Sequence, residues 1–476
     1  AQAAPARAAF PLRPPPRGSR RENGCAPFLR NGGLPAPLAA CRGYGGAGGW
    51  RPRAWGACCG LSLGVCGAAG CAGRRLEWMR RHLPTIVGRP RCALSVMNEF
   101  AECKLEKRSI NDLLQMAQFT PRERSMRLHE TLKVGLARCA MRLSEMPFGF
   151  CNAPSIKRVT GAYVQNFQQV MEFEHDKGIE GVCSREYHDL TRGIFNQHRG
   201  TMLDVAKGVF EFYEDLNELF GKDIELAEVR EELKLIRDVE HSLDEFFTNR
   251  LTLRLLISHV HNLSSGKPGS TGADEQEMVG VVNKNTRPLT ILTRAYMAAR
   301  FMCMRDFEAA PDLFINGVSH EEYVLGDVAK RQHFAYVHTH LFYIFLELVK
   351  NAARASIERA QHEAGGEVTG RRLNLPPMHV IIPQDQQLWD QERSVKLADK
   401  GVGMNRTVLS KAFCYFYSSV KARPTVADEV SDFDSRVPLA GFGFGLPISR
   451  VMARYFQGDI DLNSIPGKGT DVYIYL

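Results

Sequence analysis

The chain has 476 residues, enough for two domains and a tail, and its 44% hydrophobic content is enough for real cores. No apolar run reaches membrane-spanning length. The formal charge of +8 is uneven: residues 1–76 hold eleven Arg, no Lys and one acid, Glu22, a local +10 that leaves −2 for the rest. The folded part is therefore not expected to bind nucleic acid through bulk charge, which needs a surplus of Lys and Arg.

Residues 1–95 are rich in Gly, Ala, Pro and Arg and lack apolar periodicity, so they are expected to be a disordered extension. Arg-rich and acid-poor composition is that of an organelle transit peptide, although the usual Ser enrichment is missing. The sequence begins with Ala1, and the alternative is upstream sequence with a start near Met79 or Met97. Seven of the thirteen Cys lie in this part without zinc-type pairing, and the scatter of the other six suits a reducing compartment.

Residues 96–265 read as helical. Val159, Tyr163, Phe167, Val170 and Met171 share one face of Ser155–Phe173, and Gly193–Leu216 and Ser242–Val260 behave likewise. With the segment after Ser109 these predict a four-helix bundle. His198 falls in such a run, and two readings stand beside it: a phospho-accepting histidine, or a bundle histidine held by a neighbour. The second is preferred, because Asn196-Gln197-His198-Arg199 lacks an acid after the His. A Gly/Ser/Pro stretch within residues 266–278 reads as a linker.

Residues 279–476 mix helix and strand. Leu289–Phe307 reads as a helix, and His340–Ala360 as another with Leu341, Ile344, Phe345, Leu348, Ala352 and Ala355 on its apolar face. Glu347, Lys350, Asn351 and Arg354 repeat at the same spacing on a second face. His379–Pro383 and Ser394–Ala398 read as strands, the latter ending in Asp399-Lys400-Gly401-Val402-Gly403. Gly-x-Gly lets backbone approach a ligand, and the Asp can accept a hydrogen bond from an exocyclic amine. Phe413–Ala440 fits a lid. Gly441-Phe442-Gly443-Phe444-Gly445-Leu446-Pro447 then precedes a helical run, Ile448–Phe456, whose start would offer free amides to phosphate. Two strands, Asp459–Ser464 and Asp471–Leu476, flank a Pro466–Gly469 turn. Helices on one face of a mixed sheet give an α/β sandwich, so the fold class is α+β in two domains.

Glu-x-x-Lys-Asn, Asp-x-Gly-x-Gly and Gly-x-Gly-x-Gly, in that order, resemble the Bergerat ATP-binding fold of Hsp90, type II topoisomerases, mismatch-repair ATPases and histidine kinases. From about Ser109 onward the chain more narrowly resembles the mitochondrial pyruvate dehydrogenase kinases, most specifically at Pro438–Arg450, Ala453–Asp459 and Gly469–Asp471. The branched-chain 2-oxo-acid dehydrogenase kinases are a same-class alternative.

The resemblance implies a serine kinase of the mitochondrial matrix that phosphorylates and inactivates the E1 alpha subunit of pyruvate dehydrogenase. Phosphoryl transfer is mostly positioning and charge neutralisation. Glu347 is expected as general base, Asn351 as the Mg²⁺ ligand, Asp399 with Thr470 as readers of adenine, and Lys350 and Arg354 as compensating charge. Gly401 and Gly403 belong to the adenine loop, while Ser418, Ser419 and Gly441, Phe442, Gly443, Phe444, Gly445 and Leu446 are expected around ribose and phosphates. His198 and Arg254 match a site for a keto-acid regulator, yet Phe195 stands where the pyruvate-type enzymes have Arg, and Tyr343 where they have His. The lipoyl domain of the E2 core is the expected docking partner. The resembling kinases bind it partly through a tail beyond the position of Leu476, so either the helical domain docks alone or the sequence is a fragment. A homodimer is expected through the edge of the final strand. The reading from a different class is an ATP-gated conformational switch in which Glu347 activates water.

Overall fold

The computed structural model describes residues 91–220, 235–265, 277–325, 332–365, 374–415, 417 and 443–476. The extension before residue 91, most of the linker, most of the lid, and Ser418, Ser419, Gly441 and Phe442 lie outside the described residues.

Helix α1 (Arg91–Glu102) leads into α2 (Ile110–Met116) and α3 (Pro121–Ser144). Local chemistry sets both later starts. Ser109 and Asp112, then Thr120 and Glu123, form reciprocal capping boxes, and Pro121 opens α3 where no intrahelical donor is needed. Next come α4 (Pro154–Lys177), α5 (Arg185–Gln197), α6 (Thr201–Phe220) and α7 (Leu235–Ser265). Helices α3, α4, α6 and α7 form the four-helix bundle, with Leu132, Leu136, Ile156, Tyr163, Val205, Leu243 and Phe246 in its core. Gly135 lets α7 approach α3, since a Cβ there would sit 2.5 Å from Leu253 Cδ2. The amphipathic run Gly193–Leu216 is not one helix. It breaks at His198, which ends α5 with φ −89° and ψ 16°, and α6 begins at Thr201.

The second domain opens with β1 (Met278–Val279), β2 (Val282–Thr286), α8 (Pro288–Phe307), β3 (Leu313–Ile315), β4 (Val318–Ser319), α9 (His320–Leu325) and β5 (Phe334–Tyr336). It continues through α10 (His338–Glu363), β6 (Met378–Ile381), α11 (Gln386–Gln391), β7 (Ser394–Ala398) and α12 (Arg406–Lys411). Helix α13 (Gly445–Tyr455), β8 (Asp459–Ile465) and β9 (Gly469–Tyr475) close it. Strands β1-β2-β5 make a small antiparallel sheet; the main sheet runs β4-β3-β6-β7-β9-β8 and is mixed, because β3 pairs with β6 in parallel. Val380, Val395, Leu397, Val472 and Ile474 turn one face of that sheet into the core beneath α8, α10 and α13. Asp471, Tyr473 and Tyr475 share the opposite face, as their alternation predicts.

The strand order corrects one expectation. The final strand β9 pairs with β7 along Asp471–Tyr475 and with β8 along its whole length, so it has no free edge for a partner. Alternation showed which side chains share a face, but the β8–β9 hairpin places β8 at the rim. The bundle and the sandwich fall in one unit, and α7 packs directly on α13.

Candidate active site

Helix α10 supplies the centre of the site. Its apolar stripe of Leu341, Ile344, Phe345, Leu348 and Ala352 is buried as the periodicity predicts. Glu347 is also buried, and Lys350, one turn on, is 1% exposed. The Lys350 ammonium donates to Glu347 Oε1 at 2.8 Å, so its charge sits on the carboxylate and not in the open site. Asn351 is exposed, and among the described residues its carboxamide has no hydrogen-bond partner. Arg354, half-buried, donates from Nε to Glu358 Oε1 at 2.7 Å. Tyr343, one turn before Glu347, is buried with its hydroxyl 3.9 Å from Met202 Sδ of the bundle.

Two loops interlock beside α10. At the end of β7, Asp399 Oδ1 accepts from the amides of Gly401 at 2.8 Å and Thr470 at 3.2 Å, which leaves Oδ2 for a ligand donor. Burial outweighs those amides and pushes the Asp399 carboxyl up to about 6. Gly401 lies on α10: a Cβ there would be 2.7 Å from the Ala355 carbonyl oxygen, and the Val402 amide donates to that oxygen at 3.2 Å. Gly403 has φ +66°, and a Cβ would meet the Ile465 carbonyl oxygen at 2.1 Å. The Thr470 hydroxyl pairs with Ser464 Oγ at 2.9 Å, which fixes it next to Asp399.

The Gly-rich stretch ends on the carboxylate. Helix α13 starts at Gly445, three residues before the expected Ile448, with Pro447 tolerated in its first turn. A Cβ on Gly445 would lie 2.2 Å from Glu347 Oε2. One carboxylate oxygen is thus bonded to Lys350 and the other packs against the start of a helix, where backbone dipoles favour negative charge. Phe444 before it has no side-chain cap and is buried, while Gly443 takes φ +85° and Leu446 is half-buried.

In the bundle, His198 is 5% exposed, and burial, then Arg250 and Arg254, push its imidazole down to about 3. Nε2 accepts from Asn166 Nδ2 at 2.8 Å, Nδ1 lies 3.4 Å from Thr201 Oγ1, and the ring stacks on Tyr163 at 4.0 Å. Arg254 stands over the Phe195 ring at 4.2 Å and donates to the Phe195 carbonyl at 3.2 Å. Arg250, which sequence reasoning did not place in this site, stands one turn before Arg254 and donates to the His198 carbonyl at 3.0 Å.

A mixed sheet under three helices, an acid-and-amide helix, an Asp–Gly loop and a glycine-led helix define an ATP-binding sandwich joined to a helical bundle. Residues 336–476 match the family model of histidine kinase-, DNA gyrase B- and HSP90-like ATPases, and residues 107–283 match that of mitochondrial branched-chain alpha-ketoacid dehydrogenase kinase. The chain is 31% identical over 351 residues to the mitochondrial pyruvate dehydrogenase (acetyl-transferring) kinase isozyme 1 of Homo sapiens, covering 74% of this chain and 72% of that one. Isozyme 3 of Homo sapiens is 30% identical over 74% of this chain and 77% of its own. The Ascaris suum kinase is 29% identical over 73% and 77%. The chain belongs to the family of mitochondrial dehydrogenase kinases, protein kinases built on an ATP-binding sandwich.

Proposed function

We propose that this chain is a serine kinase of the mitochondrial matrix that phosphorylates and inactivates the E1 alpha subunit of pyruvate dehydrogenase with Mg-ATP. The observation that carries this reading is the Glu347 carboxylate, bonded to Lys350 at one oxygen and packed against Gly445 at the other, with an exposed Asn351 carboxamide one turn later.

Among the described residues no group of three or more His, Cys, Asp or Glu could hold a metal. Mg²⁺ does not need one, because it takes few protein oxygens beside phosphates and water. The exposed Asn351 oxygen fits that role, and the ion would neutralise phosphate charge. In the step itself the substrate serine oxygen bonds to the γ-phosphorus, the bond to the β,γ-bridging oxygen breaks, ADP leaves and the serine proton goes to Glu347. Lys350 keeps that carboxylate aimed. Asp399 Oδ2 accepts from the adenine amine beside Thr470, the loop from Gly401 to Gly403 lets the base approach, and Gly441–Leu446 with Ser418 and Ser419 hold ribose and phosphates.

The branched-chain dehydrogenase is the second substrate reading, supported by the family model over residues 107–283. A phospho-accepting His198 is disfavoured, because both ring nitrogens face partners inside the bundle. His198 and Arg254 remain the proposed regulator site, with Phe195 covering one face of the guanidinium. Docking on the E2 lipoyl domain and homodimer formation complete the reading, the dimer no longer through the edge of β9. The test is incubation of the chain with labelled Mg-ATP and each purified E1 component. Label on a pyruvate dehydrogenase serine supports the proposal; label on the branched-chain enzyme alone moves it to that substrate. Inorganic phosphate without labelled protein contradicts it in favour of an ATP-driven switch.

A further inference from the structure

We infer that Phe247, on bundle helix α7, is a positioning residue for Glu347, acting through Phe444 and Gly445. The inference rests on Glu347 being the base. Gly445 is the point where backbone packs on the Glu347 carboxylate, and Phe444 directly precedes it. Phe444 has no side-chain cap bond, so its ring packing sets where the first turn of α13 lies.

That packing comes from two rings. Phe247 meets Phe444 edge-on at 5.9 Å, Tyr415 meets it at 5.2 Å, and Phe247 stacks on Tyr415 at 5.4 Å and 20°. All three are buried, Phe247 and Phe444 at 4% exposure and Tyr415 at 2%. The Tyr415 hydroxyl donates to Asp244 Oδ1 at 2.7 Å, one turn before Phe247 on the same helix, so the stack is tied to α7 by a polar bond as well. Phe247 also lines a small cavity, with Met202, Leu251, Tyr343, and Ile448 and Met452 of α13 among its other walls. Truncating the ring opens room into that cavity, and α13 can settle into it. The carboxylate then loses the wall that opposes Lys350, and a misplaced base slows transfer without a matching loss of nucleotide binding.

The experiment measures phosphate transfer to the E1 component by wild type, Phe247→Ala and Phe247→Tyr. Phe247→Ala is expected to lower kcat about tenfold with KM for ATP within about twofold, and Phe247→Tyr to restore the rate. On a Glu347→Gln background the Phe247→Ala loss is expected to shrink below about twofold, because the ring acts only through that carboxylate. A full multiplicative loss there, or an unchanged kcat in Phe247→Ala, overturns the inference. If wild type transfers no phosphate to protein, the kinase reading fails, and a crystal structure of Phe247→Ala decides instead. Gly445 displaced from Glu347 supports the positioning role; an unchanged contact overturns it.

Discussion

Lys350 Nζ lies 2.8 Å from Glu347 Oε1, three residues apart on α10, and the two side chains are 1% and 10% exposed. The pair sits in the wall of the site, where removing one partner strands the other. Lys350→Met is therefore expected to destabilise the fold by about 3 kcal/mol, within the range for breaking a buried pair. Chemical denaturation measures it, and a loss below about 0.5 kcal/mol, as for an exposed pair, would show that water replaces the ammonium.

Asp399 gives a pH dependence with two signs. Its carboxyl stands at about 6 in the fold against 3.8 unperturbed. Between those values the folded chain keeps a proton that the unfolded chain has lost, so the Asp399 contribution to stability declines as pH rises through that window. With Asp399 in the proposed role of adenine reader, nucleotide binding runs the other way, because only the ionised carboxylate is purely an acceptor for an exocyclic amine. Lowering pH from 7 to 5 is expected to weaken ATP binding about tenfold more in wild type than in Asp399→Asn, a comparison that cancels the titration of the phosphates. Equal pH responses by calorimetry would remove Asp399 from adenine recognition.

Three glycines separate strain from contact. Gly467 has φ +71° and open space, so Gly467→Ala is expected to cost about 1 kcal/mol from the backbone alone. Gly403 has φ +66°, and a carbonyl oxygen lies 2.1 Å from where a Cβ would stand, so Gly403→Ala is expected to exceed about 2 kcal/mol. Gly445→Ala meets the Glu347 carboxylate at 2.2 Å instead, and is expected to cut kcat up to about 10²-fold with little loss of stability. Equal thermal shifts for Gly403→Ala and Gly467→Ala would contradict the first contrast, and a parental rate in Gly445→Ala the second.

The sequence carried the long elements and the order of the motifs, because apolar periodicity over twenty residues is a strong signal. Helix α10 appears over His338–Glu363 where His340–Ala360 was expected, and β7 matches residue for residue. Strands β3 and β5, three residues each, and β1, two, are too short to show a period. The break at His198 falls in Asn196–Gly200, which carries no apolar residue, so the apolar runs on either side read as one across a gap where the backbone leaves the helix. Lys350 shared a stripe with Asn351, but they are consecutive and therefore about 100° apart around the axis. That rotation puts one in the core and the other in solvent. Neither the ring contacts of Phe247 nor the interior place of β9 has a local signature, since both arise from pairing between distant segments.

The central claim is that Glu347 takes the proton from the substrate serine. Glu347→Gln keeps an oxygen for Lys350 and the same volume beside Gly445, so the fold and the nucleotide site should survive. With labelled Mg-ATP and the purified pyruvate dehydrogenase E1 component, initial rates of serine phosphorylation are expected to fall about 10²- to 10⁴-fold, with ATP affinity within about threefold of the parent. Phosphate transfer by Glu347→Gln at the parental rate would contradict the account.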